Sequence, residues 1–101
     1  MVRIDWSLPA LDDLREVFQY IARDSPKYAR ATVERITAAT ARLKQWPQMG
    51  EVLPEFPLYR QFVVGNYRLI YREDEANQRV LIIGVIHAGR DLPAILETRN
   101  R

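Results

Sequence analysis

The chain has no cysteine, a single histidine and only four glycines in its 101 residues. Without cysteine there is neither a disulfide framework nor a thiolate metal site, which suits a reducing compartment. With His87 as the only imidazole, a metal site would rest on carboxylates, and no acidic cluster suggests one. No metal and no cofactor are therefore expected. Long apolar runs are missing too. Nothing approaches the roughly 20 residues that span a bilayer. The opening MVRIDW lacks the apolar core of a signal peptide. The expectation is a cytoplasmic protein with no membrane partner. Nor is there a large charge excess: 15 basic residues against 13 acidic ones leave +2, too little by itself to indicate nucleic-acid binding.

What is present describes an ordinary globular chain. Hydrophobic residues make up 48 % and charged ones 28 %, so disorder is not expected. The length suits one domain over residues 1–101, with a single core and no staples.

The pattern along the chain gives the elements. Residues 1–6 alternate, with Val2, Ile4 and Trp6 on one side, and read as a short strand. Ser7 then caps a helix that tolerates Pro9 in its first turn. Leu11, Leu14, Phe18, Ile21 and Ala22 fall on one face of it. Asp24-Ser25-Pro26 ends that helix and starts the next, with Ser25 as N-cap and Pro26 at N1. Ala29, Val33, Ile36, Ala39 or Thr40, and Leu43 make the second buried stripe, which runs out near Trp46-Pro47. So short a joint folds the two helices into an antiparallel hairpin. Residues 47–57, with three prolines and Gly50, read as an irregular segment packed against the body.

Residues 58–71, LYRQFVVGNYRLIY, are the organising stretch. Gly65-Asn66 between two apolar runs is a two-residue hairpin signal, because such turns need positive φ. Arg60 and Arg68 sit on the paired strands, and the alternation suggests that both look onto an open face. Residues 79–87, RVLIIGVIH, read as a strand buried on most sides, with Gly84 marking a bulge or a close approach. Residues 94–98 suggest a short terminal helix. The order β-α-α-β-β-β, with a three-stranded antiparallel run and both helices on one face, defines an α+β two-layer fold.

The phrases DLREVFQYIARDSP, P-x-x-G at Pro47 and Gly50, LPEF from Leu53, YRLIYR from Tyr67 and VIHAGRDL from Val85 occur together and in this order. On them the chain resembles the RelE/ParE superfamily of bacterial type II toxin–antitoxin toxins. The resemblance spans nearly the whole chain. It implies a growth-inhibiting toxin that is neutralised by a co-encoded antitoxin, and that reaches operator DNA only through that antitoxin. Two branches differ in chemistry. ParE-like members are implied to bind and inhibit DNA gyrase and to serve in plasmid stabilisation. RelE-like members are implied to cut messenger RNA on the ribosome without a metal.

For the RelE-like branch the resemblance points to Arg60, Arg68 and His87 as catalytic residues. That chemistry needs cations where charge develops, plus a base and an acid. Phe62 stands where a second basic residue is expected, and the segment after His87 lacks the expected aromatic residue. The ending HAGRDL and the tight DSP joint favour the ParE-like branch, with Arg90, Asp91 and Leu92 as target-contacting residues. In either branch Tyr20, Tyr28 and Ala31 lie off the core stripe and are candidates for antitoxin contact. The plainer readings stand beside these. Arg68 could make a surface pair with Glu55 or a nearby acid, and a lone histidine at a strand end more often meets backbone than substrate.

Overall fold

The computed structural model describes residues 1–99. The elements run β1 (Arg3–Trp6), α1 (Leu8–Ala22), α2 (Pro26–Ala41), β2 (Glu51–Leu53), β3 (Phe56–Val64), β4 (Tyr67–Asp74), β5 (Arg79–His87) and α3 (Leu92–Arg99). The strands form one sheet in the order β1-β5-β4-β3-β2. β1 lies parallel to β5, and the other pairings are antiparallel. The α+β arrangement of strand, helical hairpin and antiparallel run is the expected one.

Local chemistry explains the helix starts. Ser7 Oγ accepts from the Ala10 N–H at 3.2 Å, and Ser25 Oγ accepts from the Tyr28 N–H at 3.1 Å. Each cap satisfies a donor that the first turn leaves without an intrahelical acceptor. Val64 and Tyr67 flank the β3–β4 turn, where Gly65 takes φ of +61°. Asn66 does not share the positive φ, so only the first turn position is left-handed, as in the II′ class.

Two features depart from expectation. The segment 47–57 is not wholly irregular, because Glu51–Leu53 forms a fifth strand paired with β3. Its prolines frame that strand instead of preventing it. In α1 the residues buried against the sheet are Ala10 and Val17, whereas Leu11 is exposed. Leu11 and Phe18 instead line a shallow groove with Val33 of α2. Leu14 and Ile21 of the stripe pack against the sheet's core as well, so the stripe read from the sequence serves both the sheet and the helix–helix seam. Gly84 does sit beside a bulge, at which the β4–β5 register shifts between Ile70 and Tyr71. What approaches it is side chains, not another backbone.

The sheet has two cores. On one face Val64, Leu69, Tyr71, Val80, Ile82 and Val85 pack with Ala10, Val17, Ile36 and Leu43 of the helical hairpin. On the other, Leu53, Tyr59, Ile70, Ile83 and Ile86 pack under Leu92 and Leu96 of α3.

Candidate functional site

The register decides which candidates can act together. Arg60 stands opposite Tyr71, whereas Arg68 stands opposite Val63 on β3 and Ile86 on β5. Directly opposed residues share a face, and faces alternate along a strand. Arg60 therefore lies on the face that carries Tyr71 and Leu69, and Arg68 on the face that carries Ile70. The expectation that the two arginines look onto one open face is corrected. Alternation was read properly within each strand, but the turn length puts them out of step across the pair.

Each guanidinium has local work. Arg60 Nη1 donates to the carbonyl of Gly50 at 2.8 Å and to that of Gln48 at 3.4 Å. The Tyr71 hydroxyl accepts from the Gly50 N–H at 2.9 Å. Burial pushes the Tyr71 hydroxyl pKa up and Glu73 adds to the rise, while the Gly50 bond and the charge of Arg60 oppose it. A Cβ on Gly50 would stand 2.8 Å from the Gln61 carbonyl and 2.9 Å from the Tyr71 ring. Arg60 and Tyr71 thus clamp a glycine that no larger residue could replace without movement, and they fix the approach to β2. Arg68 Nη2 donates to the Ala88 carbonyl at 2.8 Å and holds the end of β5. Its partner is backbone, not Glu55 or an acid of the β4–β5 turn.

His87 is exposed and opposes Tyr67 on the helical-hairpin face, edge-on at 5.6 Å. Its Nδ1 accepts from the Gly89 N–H at 3.1 Å, the backbone contact that the plainer reading anticipates. The Tyr67 hydroxyl is raised above its usual pKa, chiefly by burial and further by Tyr20 and Tyr28 nearby. Tyr20 and Tyr28 are 70 % and 64 % exposed, and Ala31 is exposed as well, so all three are open to a partner. Arg90 and Asp91 are exposed on the connection to α3, and Asp91 Oδ1 accepts from the Ala94 N–H at 3.4 Å. Leu92 is not available to a target: it is 7 % exposed and belongs to the second core.

Phosphoryl chemistry requires cations that meet at one developing charge. Here a phosphate resting against Arg60 would have the sheet between itself and Arg68. His87 is close to the Arg68 end of the hairpin but opens onto the other face. These three residues are placed for holding backbone more than for sharing one substrate atom.

Sequence reasoning missed another constellation. An open cleft of about 830 Å³ lies between α1, the free end of β5 and α3, and is lined by Asp13, Tyr20, Tyr67, His87, Arg90 and Arg99 among others. At its base Asp13 and Arg99 form a bidentate ion pair, with contacts of 2.5 and 2.8 Å. The available signal was the spacing of Asp13 between Ala10 and Val17, which puts a carboxylate on the inward side of α1.

The five-stranded sheet under a helical hairpin, with a short C-terminal helix behind it, matches the RelE/ParE-like fold. The sequence profile of a family described as the ParE toxin of the type II toxin–antitoxin system parDE matches residues 4–92. The inferred toxin Y4kP of Sinorhizobium fredii is 33 % identical over 96 residues, covering 93 % of this chain and 96 % of that one. The chain belongs to the ParE toxin family. Among solved structures it is similar to a chain of the chromosomal ParDE toxin–antitoxin system of P. aeruginosa, with a TM-score of 0.73 at 21 % identity over 86 % of this chain and 96 % of that one. It is similar also to a chain of the Mycobacterium tuberculosis toxin–antitoxin complex RelBE2, with a TM-score of 0.62 at 27 % identity over 85 % and 96 %. The isolated E. coli RelE toxin gives a TM-score of 0.68 at 17 % identity over 99 % and 98 %, a likeness of fold alone. The protein is a type II toxin–antitoxin toxin of the ParE/RelE kind.

Proposed function

We propose that this protein is a one-domain cytoplasmic toxin that inhibits DNA gyrase by direct binding. The observation that carries the reading is the separation of Arg60 and Arg68 onto opposite faces, each bonded to backbone carbonyls. A protein that acts by occupying its target needs a shaped surface and no converging acid, base and cations. Arg90 and Asp91, exposed beside the cleft, are the residues assigned to target contact. Tyr20, Tyr28 and Ala31 on the hairpin are assigned to the antitoxin, whose disordered tail would gain order on binding. Operator DNA is reached through that antitoxin alone.

The test uses purified, antitoxin-free protein in a gyrase assay that follows both supercoiling and trapped cut DNA, with Arg68→Ala alongside. Loss of supercoiling with cut DNA trapped, by wild type and variant alike, is the expected result. One observation favours a second reading: the Arg68 guanidinium reaches the carbonyl next to His87. Should gyrase be unaffected, cleavage of ribosome-bound message that disappears in Arg68→Ala and His87→Ala would establish a RelE-like endoribonuclease instead.

A further inference from the structure

β4 pairs with β5 along its whole length, but on the opposite edge β5 has a neighbouring strand for only half of it. β1 pairs with it from Arg79 to Ile82, and the Ser7 N–H then takes the Ile82 carbonyl as the chain turns into α1. Beyond that point side chains occupy the places of a next strand. Asp13 Oδ2 accepts from the Val85 N–H at 2.9 Å, and Arg99 Nη1 donates to the Ile83 carbonyl at 3.1 Å. The two side chains are also joined to each other, one from each layer, around the edge of the sheet. They are largely shielded, at 11 % exposure for Asp13 and 18 % for Arg99.

Gly84 is what lets the pair lie there. A Cβ at this position would stand 2.5 Å from Arg99 Nη1 and 3.2 Å from Asp13 Oδ2. Contact with Asp13, by hydrogen bond and charge, also raises the Arg99 pKa above its already high ordinary value. The helix so fastened cannot stand alone. At eight residues α3 is well short of the length at which an isolated helix becomes even marginal in water. Its docking rests on Leu92 and Leu96 in the second core and on the Arg99 contact in its last turn.

We infer that Asp13, Gly84 and Arg99 form a clasp that positions the C-terminal element of the toxin, holding α3 to the sheet and thereby fixing the Arg90–Asp91 surface. The functional half of the inference rests on the proposed role of that surface in target contact. The three are positioning residues, since none of them touches the target in this scheme. A second consequence follows from the geometry. Because Arg99 fills one hydrogen-bonding place of the β5 edge, α3 cannot leave without giving up the bond to the Ile83 carbonyl, while Asp13 on α1 keeps the Val85 N–H.

The experiment combines amide hydrogen exchange with the gyrase assay on the full chain, for Arg99→Gln, Gly84→Ala and Arg99→Lys. Gly84→Ala keeps both charges and obstructs their seat, with one further contact at 3.1 Å from Ile86 Cδ1, so it separates the clasp from a change of charge. In Arg99→Gln and Gly84→Ala, exchange of the amides at 92–99 is expected to quicken about tenfold or more, while those at 29–40 hold their wild-type rates. Half-inhibition of supercoiling should require about tenfold more protein in both, and Arg99→Lys, which keeps the charge, should recover to within about threefold of wild type. Unchanged α3 exchange in both Arg99→Gln and Gly84→Ala would overturn the clasp. Faster α3 exchange with undiminished inhibition would overturn its positioning role. A wild type inert toward gyrase would remove the target assignment and with it the functional half, and the exchange result would still decide whether the clasp holds α3.

Discussion

The face of the sheet built on Leu69 and Tyr71 lies under two helices of 15 and 16 residues, whereas the face built on Ile70 and Ile86 lies under the eight residues of α3. The two covers are held differently. The hairpin buries Ala10, Val17, Ile36 and Leu43 in the sheet's larger core, and both of its helices begin with a serine cap. The C-terminal helix contributes Leu92 and Leu96 and is finished by one ion pair. Apolar burial at roughly 25 cal/mol per Å² favours the broader cover heavily. The expectation is therefore one face that opens only when the protein unfolds and one whose cover loosens locally. In a toxin that must meet both an antitoxin and a target, that asymmetry divides a stable scaffold from an adjustable end.

The comparison breaks most severely at Tyr71. Its side chain is fully buried, and its hydroxyl holds the Gly50 N–H. Tyr71→Ala should cost about 3–5 kcal/mol, as large aromatic truncations in cores do. Urea unfolding followed by circular dichroism should show the whole transition moving to lower urea. Tyr71→Phe keeps the ring but leaves a buried donor without its acceptor, and should cost about 1–3 kcal/mol. A negligible loss in Tyr71→Ala would mean that the hairpin face is not the scaffold.

Leu96→Ala probes the other cover with a residue equally shielded from solvent. Truncations of this kind run from about 2 to 5 kcal/mol, and the low end, about 2, is expected because α3 can undock instead of leaving a rigid cavity. The distinguishing measurement is exchange. Amides at 92–99 should lose protection in Leu96→Ala while those of α2 keep theirs. Uniform loss across both helices would show that the two covers open as one unit, and the contrast would fall.

Much of this architecture was legible because it is local. Ser7, Ser25 and Pro26 announce two helix starts, and Gly65 announces a turn whose φ no β-branched residue adopts comfortably. The family, too, was legible in short phrases spread along the chain. What escaped was non-local. That β1 would lie parallel to β5 depends on a crossover through both helices, which no periodicity in residues 1–6 encodes. That β2 would form between prolines depends on β3 lending its edge. Arg60 and Arg68 looked like partners because both carry the right charge on paired strands, yet the register that separates them is set by the turn. Asp13 and Arg99 are 86 positions apart, and only the folded sheet edge brings them together.

A smaller effect sharpens the account of the scaffold. Ser25 caps α2 at a joint that leaves only residues 23–25 between the helices. Ser25→Ala removes the acceptor of the Tyr28 N–H and should cost about 1 kcal/mol, read as a modest shift in the urea midpoint with an unchanged slope. Tyr28, beside the cap, is a candidate for antitoxin contact, so the same variant should weaken capture of a cognate antitoxin tail if that contact needs an ordered helix start. Antitoxin binding that stays level while stability drops would place the antitoxin elsewhere.

The smallest expected effect lies at the turn shared by both faces. Asp74 Oδ2 accepts from Asn77 Nδ2 at 2.9 Å and from Arg79 Nε at 3.0 Å. These bonds, that from Asn77 first, hold its carboxyl below the ordinary value of 3.8. A carboxylate with a depressed folded pKa stabilises the fold fully above its unfolded value, and the contribution is lost as pH falls through the folded value. Wild type should therefore lose stability as pH drops below about 4, and Asp74→Asn should give a flatter acid limb over the same window together with a lower midpoint at about pH 6. Because β4 and β5 carry residues of both cores, this loss should leave the gap in protection between α2 and α3 unchanged. An Asp74→Asn protein whose α3 alone loosens would tie the turn to the weaker cover, and the line between the two covers would have to be redrawn through β5.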